Sequence, residues 1–593
     1  MIGKTTRLRW RRSFKRQKQQ VEILSQKADT KLDRLFFKRL SGLIDVRRFV
    51  IAWVLLIVFS LTGVWFQFRT LPDYYKSTVP SAGGIYTEGI LGTFTTANPI
   101  YATGPVDSSV ARLAFSGLME YDNKGNLLGE LAEQVAPNDK NDTYTVKLRD
   151  NIYWHDGQKV TAKDVVFTYQ LIQNPDAKSP LRSNWQGVKI TSPDTRTVVF
   201  TLPHPLVSFP HSLTTGIVPE HSLKNISPAQ LRTAPFNTVN PIGSGPFKWE
   251  SLVVQGQNPE NREELVGLVA NEGYFRGRPK LDRIILRAVH DENTLLKLFN
   301  DNQLTAANGL DNVTSSIQKS PLVREYNINI NGQTLVFFKT TQGDLVDVKV
   351  RQALVRAVNK GDVVASLGYP VALSNSPFLP VHVGYNKDLK QPGFDVNEAN
   401  RLLDEAGWKR DDKGMRSKDG RPLKFKFYAQ KTNDFSNVAK NLQKQWKAIG
   451  VDAEVNLLAP DELQPYISDH NYDALLYGIE LGSDPDVYAY WHSSQADPRS
   501  PNRLNFSEYK NGEADLALAS GRSRGGELRV IKYQPFLKAW RDEAPALALY
   551  QPRFYFVTRG KIFGFSDISI NSPTDRYNNV ENWQINTKKA TIK

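Results

Sequence analysis

Imidazole is both a metal ligand and a general base, so the eight histidines at positions 155, 204, 211, 221, 290, 382, 470 and 492 are the first residues to test for chemistry. No two stand four apart, the spacing that puts a pair on one helical face to grip a metal. His290-Asp291-Glu292-Asn293 begins like a zinc-protease string but lacks its second histidine. Gly243-Ser244-Gly245 is one residue too tight for the turn that exposes a nucleophilic serine. Gly3-Lys4-Thr5 imitates the end of a phosphate loop without its glycines. There is no cysteine, which removes thiolate ligands, disulfides and a cysteine nucleophile. His155-Asp156-Gly157 after Trp154 reads as a turn closing a strand, with Asp-Gly supplying the backbone freedom and Trp154 buried. The expectation is therefore binding without turnover: no catalytic group, no metal, no cofactor.

The elements that would position a binding site alternate in type. Tyr144–Arg149 and Thr197–Leu202 alternate apolar and polar residues in the manner of half-buried strands. Thr161, with Asp164 three residues on and Val165-Val166-Phe167 behind it, reads as a helix N-cap. Val348–Val358, Asn397–Ala406 and Asn437–Ile449 carry apolar residues at three- and four-residue spacing, with Gly407 and Gly450 placed as C-terminal caps. Gly450 leads straight into a strand, Val451–Val455. Mixed strand and helix order across 593 residues predicts α/β architecture in more than one lobe.

The net charge of +15 is concentrated at one end. Residues 1–48 hold 15 Lys/Arg against four acids, residues 49–68 hold no charge, and the remainder carries only +4. A basic tail on a nearly neutral body is not the footprint of a nucleic-acid-binding domain. The uncharged run Phe49–Phe68 is 20 residues long, enough to span about 30 Å of hydrocarbon as a helix. Six Lys/Arg lie within 20 residues before it and two after, which predicts a cytoplasmic N-terminus and an extracytoplasmic body. The long basic lead, the length of the run and the lack of a small-x-small site favour an uncleaved anchor over a signal peptide.

From Ile85 onward the chain resembles the large extracytoplasmic solute-binding proteins of peptide and nickel ATP-binding-cassette transporters, family 5. The strings that carry the resemblance are Leu113–Leu118, Leu131-Ala132-Glu133, Tyr144–Arg149, Trp154–Gly157 and Thr161–Phe167, in that order and spacing. Asn240–Phe247, Val350–Leu354, Leu402–Trp408 and Asp542–Tyr550 agree with it. The resemblance implies a two-lobed periplasmic-binding-protein-like α/β fold, class II and of the large type with an extra subdomain, preceded by one transmembrane helix. The expected organisation is a basic tail at 1–48, an anchor at 49–68, a linker at 69–82 and lobe I at 83–330 with a subdomain at about 115–235. Lobe II would follow at 331–540, and 541–593 would return to lobe I.

The resemblance also implies where a ligand would lie. In peptide-binding members an aspartate shortly before an Asp-Pro-Asp-like string holds the peptide's ammonium. Here Gly478–Asp486 puts Leu481 at about that position, beside Glu480. Either Glu480, Asp484 or Asp486 takes over the role, or the ligand has no free amine. Tyr488, Tyr490 and Trp491 follow as a possible aromatic wall, and Thr95, Thr96 and Asn98 would face them from the other lobe as hydrogen-bonding groups. The implied function is capture of a peptide or similar solute by lobe closure and delivery to the permease subunits of an ABC transporter. A nickel chelate, haem or oligosaccharide in the same fold is the alternative ligand. An anchored sensor or chaperone-like receptor is the alternative of a different class.

Overall fold

The computed structural model describes residues 15–27, 30, 47–74, 76–122, 124–256, 262–310, 320–500, 503–568 and 570–591. They fall into two compact units, one ending at Val79 and including residues from Thr587 on, the other Pro80–Asn586. The basic tail lies mostly outside the described residues; within it, residues 15–27 are helical.

The smaller unit holds the helix Arg47–Tyr74. Its stretch Arg48–Arg69 is, among the described residues, the one helix long and apolar enough to cross a membrane, and none of it is buried in protein. Its apolar residues face outward all round, Phe59 being 81% exposed, as a lipid-facing helix requires. The Thr62 hydroxyl donates to the Val58 carbonyl one turn back, which keeps that polar group satisfied within the helix. Where a linker was expected at 69–82, the helix runs on to Tyr74 and the strand Lys76–Ser81 pairs with Asn586–Thr591. Charge at Arg69 ends the apolar span but does not end a helix, and a strand partner some 500 residues away leaves no local trace.

The larger unit is built on two main sheets. A seven-stranded sheet runs, edge to edge, through Val323–Asn329, Arg553–Arg559, Ala306–Asn308, Ile85–Leu91, Arg283–Val289, Glu263–Ala270 and Phe247–Gln255. A five-stranded sheet runs through Asp452–Leu458, Lys424–Gln430, Ala474–Glu480, Gly332–Phe338 and Ala546–Tyr550. The chain passes between them twice, at Ile330-Asn331 and at Gln551-Pro552, and the crossings touch: the Ile330 N–H donates to the Pro552 carbonyl at 2.9 Å. Two short adjacent crossings are the geometry of a hinge. The strand Ala546–Tyr550 still belongs to the five-stranded sheet, so the return to the first lobe begins near Gln551, ten residues later than the expected 541. The apolar run Ala-Leu-Ala-Leu signals a buried strand but not which sheet takes it.

The return is pinned by a buried ion pair. Arg576 Nη2 lies 2.9 Å from Glu88 Oε1, and both side chains are at most 1% exposed. Tyr86 and Tyr577 hydroxyls donate to Glu88 Oε2 at 3.0 and 2.8 Å, and Arg576 donates to Ser109 Oγ at 2.8 Å, so every charge-bearing atom has partners.

A third, four-stranded sheet (Ala132–Pro137, Thr143–Leu148, Thr197–Thr201, Lys189–Thr191) carries the helix Ala162–Gln173. Tyr144, Val146 and Leu148 point inward in strict alternation, as the sequence predicts. The Asp164 carboxylate accepts from the Thr161 N–H at 2.8 Å and from its hydroxyl at 3.0 Å, which fixes the helix start. Helices Val348–Arg356, Val396–Glu405 and Asn433–Ala448 cover the second lobe's sheet, and Gly407 and Gly450 follow the last two with φ of +87° and +86°.

Candidate ligand-binding site

A cleft of about 630 Å³ opens between the lobes, within the range of small-ligand sites. Besides Glu130 and parts of residues 99–102, 181–184 and 211–216, three chain segments meet in its wall. The first is the helix Pro105–Ala114 with the strand Met119–Tyr121, the second is Glu480-Leu481-Gly482 at the end of a second-lobe strand, and the third is Asn571–Asn578 from the return.

The floor is ionic. Arg112 Nη2 lies 3.0 Å from Glu120 Oε2, Arg276 pairs with the same carboxylate, and Glu130 Oε1 stands 3.9 Å from Arg112 Nη1. The other oxygen of Glu130 accepts from the Gly117 N–H at 2.9 Å. Burial, reinforced by the neighbouring Glu120, pushes Glu130 up to about 7. These residues were not foreseen, although their signal lay beside the strings already noted: Arg112 precedes Leu113–Leu118 and Glu130 precedes Leu131-Ala132-Glu133.

At the second-lobe wall the Tyr490 hydroxyl donates to the Glu480 backbone carbonyl at 2.9 Å, holding the strand end in place. The Glu480 carboxylate itself has no hydrogen bond or ion pair among the described residues and opens into the cleft. Partial desolvation at the cleft wall raises its pKa, and so does Asp575 across the cleft. Asp575 accepts from the N–H groups of Asn571 and Ser572 at 2.9 and 3.3 Å, and burial raises its pKa too. Leu481 and Gly482 donate their N–H groups to the Asn331 carbonyl at 2.9 Å, tying this wall to the hinge.

The remaining expected site residues lie elsewhere. Asp484 receives Arg529 in a bidentate pair, both contacts at 2.6 Å, and Asp486 receives Arg522 at 2.9 Å. Neither lines the cleft. Asp486 also accepts from Ser208 Oγ at 3.3 Å, and the Val207 N–H donates to the Arg522 carbonyl at 2.9 Å, so this pair bridges the subdomain and the second lobe. His211 faces Asp484 at 3.9 Å and bonds Tyr121 at 2.7 Å, and burial lowers its pKa.

Tyr488 stacks on His492 at 4.1 Å, with the Arg522 guanidinium 4.2 Å over its ring, and so supports the same bridge. Trp491, expected on the cleft wall, is fully buried: it stacks on Phe337 at 5.5 Å and meets Trp540 edge-on at 5.6 Å. A short helix, Tyr488–Trp491, turns it into the core.

The loop expected to face these aromatics is also self-contained. The Asp107 carboxylate accepts from the Thr95 and Thr96 N–H groups at 2.7 and 3.1 Å, and Asn98 donates to Asn237 at 3.0 Å. Pro99 and Ala102, just beyond, make the cleft wall there.

His155 is a strap. Its Nδ1 accepts from the Gly243 N–H at 3.2 Å, so Nε2 carries the proton donated to the Gly245 carbonyl at 3.0 Å, and burial pulls its pKa down to about 4. The glycines are needed because the loop presses on the end of the helix Pro105–Ala114: a Cβ on Gly243 would lie 1.8 Å from the Ala114 oxygen.

Comparison with known proteins places this architecture. Residues 126–500 match the model of the bacterial extracellular solute-binding proteins, family 5. The oligopeptide-binding protein AppA of Bacillus subtilis is 28% identical over 515 residues, covering 85% of this chain and 92% of that protein. Its structure in complex with a nonapeptide superimposes with a TM-score of 0.68 at 26% identity, covering 86% of this chain and all of that one. NikZ from Campylobacter jejuni in complex with Ni(L-His) gives 0.69 at 27% identity, covering 84% and 99%. With its two lobes, hinge and interlobe cleft, the chain belongs to the bacterial extracellular solute-binding protein family 5, whose members bind solutes for transport and are not enzymes.

Proposed function

We propose that this protein captures a peptide through its free amine in the interlobe cleft and presents it to the permease of an ABC transporter. The observation that carries the reading is the Glu480 carboxylate, which lines the cleft with no hydrogen-bond or ion-pair partner among the described residues. A buried ammonium needs such a counter-charge, and the neighbouring candidates Asp484 and Asp486 are already neutralised by Arg529 and Arg522. Relatives whose names record oligopeptide binding support the ligand class. The helix Arg48–Arg69, with Arg69 stacked 4.9 Å over Trp65 at its outer end, would hold the body on the extracytoplasmic face with the N-terminus inside. Glu480→Gln should weaken binding of a free peptide by about 2–5 kcal/mol while the N-acetylated peptide binds both forms alike. If acetylation leaves wild-type affinity unchanged, the amine is not what the cleft recognises.

A further inference from the structure

The lobes are joined covalently only at the hinge, yet they meet a second time at the end of the helix Gly512–Ser523. The Arg522 carbonyl accepts from the Val207 N–H at 2.9 Å, and the Ser523 carbonyl accepts from Asn141 Nδ2 at 3.5 Å. The Arg522 side chain holds Asp486 at 2.9 Å, and the same Asp486 oxygen accepts from Ser208 Oγ at 3.3 Å. One turn of the second lobe thus meets two loops of the four-stranded subdomain.

Both sides of this contact are firmly mounted. Leu206, beside Val207, donates its N–H to the Asn141 carbonyl at 2.9 Å and accepts the Tyr144 hydroxyl at 2.8 Å. The two subdomain loops are therefore tied to each other and to the strand Thr143–Leu148. On the second lobe the Arg522 guanidinium lies 4.2 Å over the Tyr488 ring. Just before it, the helix presses on its neighbour Gly526–Glu543 so closely that a Cβ on Gly521 would lie 2.3 Å from the Tyr533 ring. None of Asn141, Val207, Ser208, Asp486 and Arg522 lines the cleft. His211, three residues beyond Ser208, does line it, so the contact adjoins the cleft without reaching into it.

We propose that the four-stranded subdomain is a latch: Asn141, Val207 and Ser208 grip the Arg522 turn and Asp486, and this grip sets the fraction of the protein whose lobes are closed on a solute. Arg522 is a positioning residue in this scheme. Its side chain fixes Asp486 opposite Ser208, and its carbonyl takes the Val207 N–H. A rotation about the hinge must break these bonds, so they favour the closed form without touching ligand. Apparent affinity scales with the binding-competent fraction. Loss of the latch should therefore weaken every solute by one factor, whereas loss of Glu480 weakens only those with a free amine.

The chain has no cysteine, so two introduced cysteines can carry spin labels without competition. Lys163→Cys on the subdomain helix and Lys538→Cys on the second-lobe helix are both exposed positions. Pulsed electron-spin resonance of the full chain in detergent, without ligand, should show a short label separation in the parent and a longer one added in Arg522→Ala. Arg522→Lys, which restores a cation opposite Asp486, should recover most of the short separation. Ser208→Ala removes only the cross-lobe hydroxyl and should shift the distribution the same way to a smaller extent, which keeps the test open where Arg522→Ala fails to fold. Calorimetric titration with Ala-Ala-Ala-Ala should then show Arg522→Ala binding about ten-fold more weakly, the equivalent of one or two net hydrogen bonds. Separations that match the parent in both variants overturn the latch. So does a lengthened separation with unchanged affinity. If tetra-alanine does not bind the parent, the peptide reading falls and the label separations alone decide the latch.

Discussion

Asp484→Asn separates a structural carboxylate from a ligand-binding one. In the wild type both oxygens of Asp484 hold Arg529 at 2.6 Å, and the two side chains are 13% and 5% exposed. The asparagine keeps the shape but removes the charge, and one guanidinium-facing acceptor becomes a donor. Arg529 then keeps one neutral amide acceptor and the Tyr533 hydroxyl, a weak contact at 3.4 Å, but no counter-charge. Stranding one member of a buried ion pair costs about 3–5 kcal/mol. If the roughly 500 residues of the larger unit melt together, their unfolding entropy is about 1 kcal/mol/K, and the expected fall in melting temperature is about 3–5 °C. Urea unfolding followed by tryptophan fluorescence reads the same loss. Ligand affinity, measured below the transition, should stay within about two-fold, because Asp484 does not line the cleft. Replacing both partners, Asp484→Leu with Arg529→Met, should recover most of the stability. The reasoning is refuted if Asp484→Asn leaves the melting temperature unchanged and abolishes binding, the signature of a ligand clamp.

Trp491→Ala should cost about 3–5 kcal/mol by opening a cavity against Phe337 and Trp540, with affinity retained; lost affinity at full stability would return Trp491 to the cleft wall. Glu130, pushed up to about 7 among Arg112, Glu120, Arg276 and Tyr274, holds its proton in the folded state after the unfolded chain has released it near its ordinary value. Between about pH 4.5 and 7 this group therefore lowers stability as pH rises, by about 3 kcal/mol in all, and the penalty stays constant above that. The Glu130→Gln variant should lack this component, so urea midpoints of the two proteins should diverge through that window. Protease added to intact cells should digest the body and spare the basic tail; cleavage of the tail first would reverse the topology.

How much of this could be read in the sequence depended on the range of the forces involved. Local signals held: the Thr161–Asp164 cap, the alternation at Tyr144–Leu148 and the glycines after two second-lobe helices each report hydrogen bonds within a few residues. Family strings located the lobes, and beside those strings lay Arg112 and Glu130. What sequence could not resolve was which carboxylate is free. Glu480, Asp484 and Asp486 look equivalent along the chain, and only the approach of Arg529 and Arg522, some 40 residues away, removes two of them. Asp575 left only the spacing of a capping residue after Ser572, while its place in the cleft depends on the chain's return across the hinge. The aromatic run misled for a related reason: nothing in Tyr488-Ala489-Tyr490-Trp491 says which ring faces inward, and a single helical turn places Trp491 in the core.

The most direct test is titration of the full-length protein with a pool of short peptides, followed by native mass spectrometry and recovery of the bound species. The account predicts one peptide per chain, a melting temperature that rises with peptide concentration, and release of the peptide chemically intact. Recovery of a cleaved peptide, or saturating peptide that leaves both the mass and the melting temperature of the protein unchanged, would contradict it.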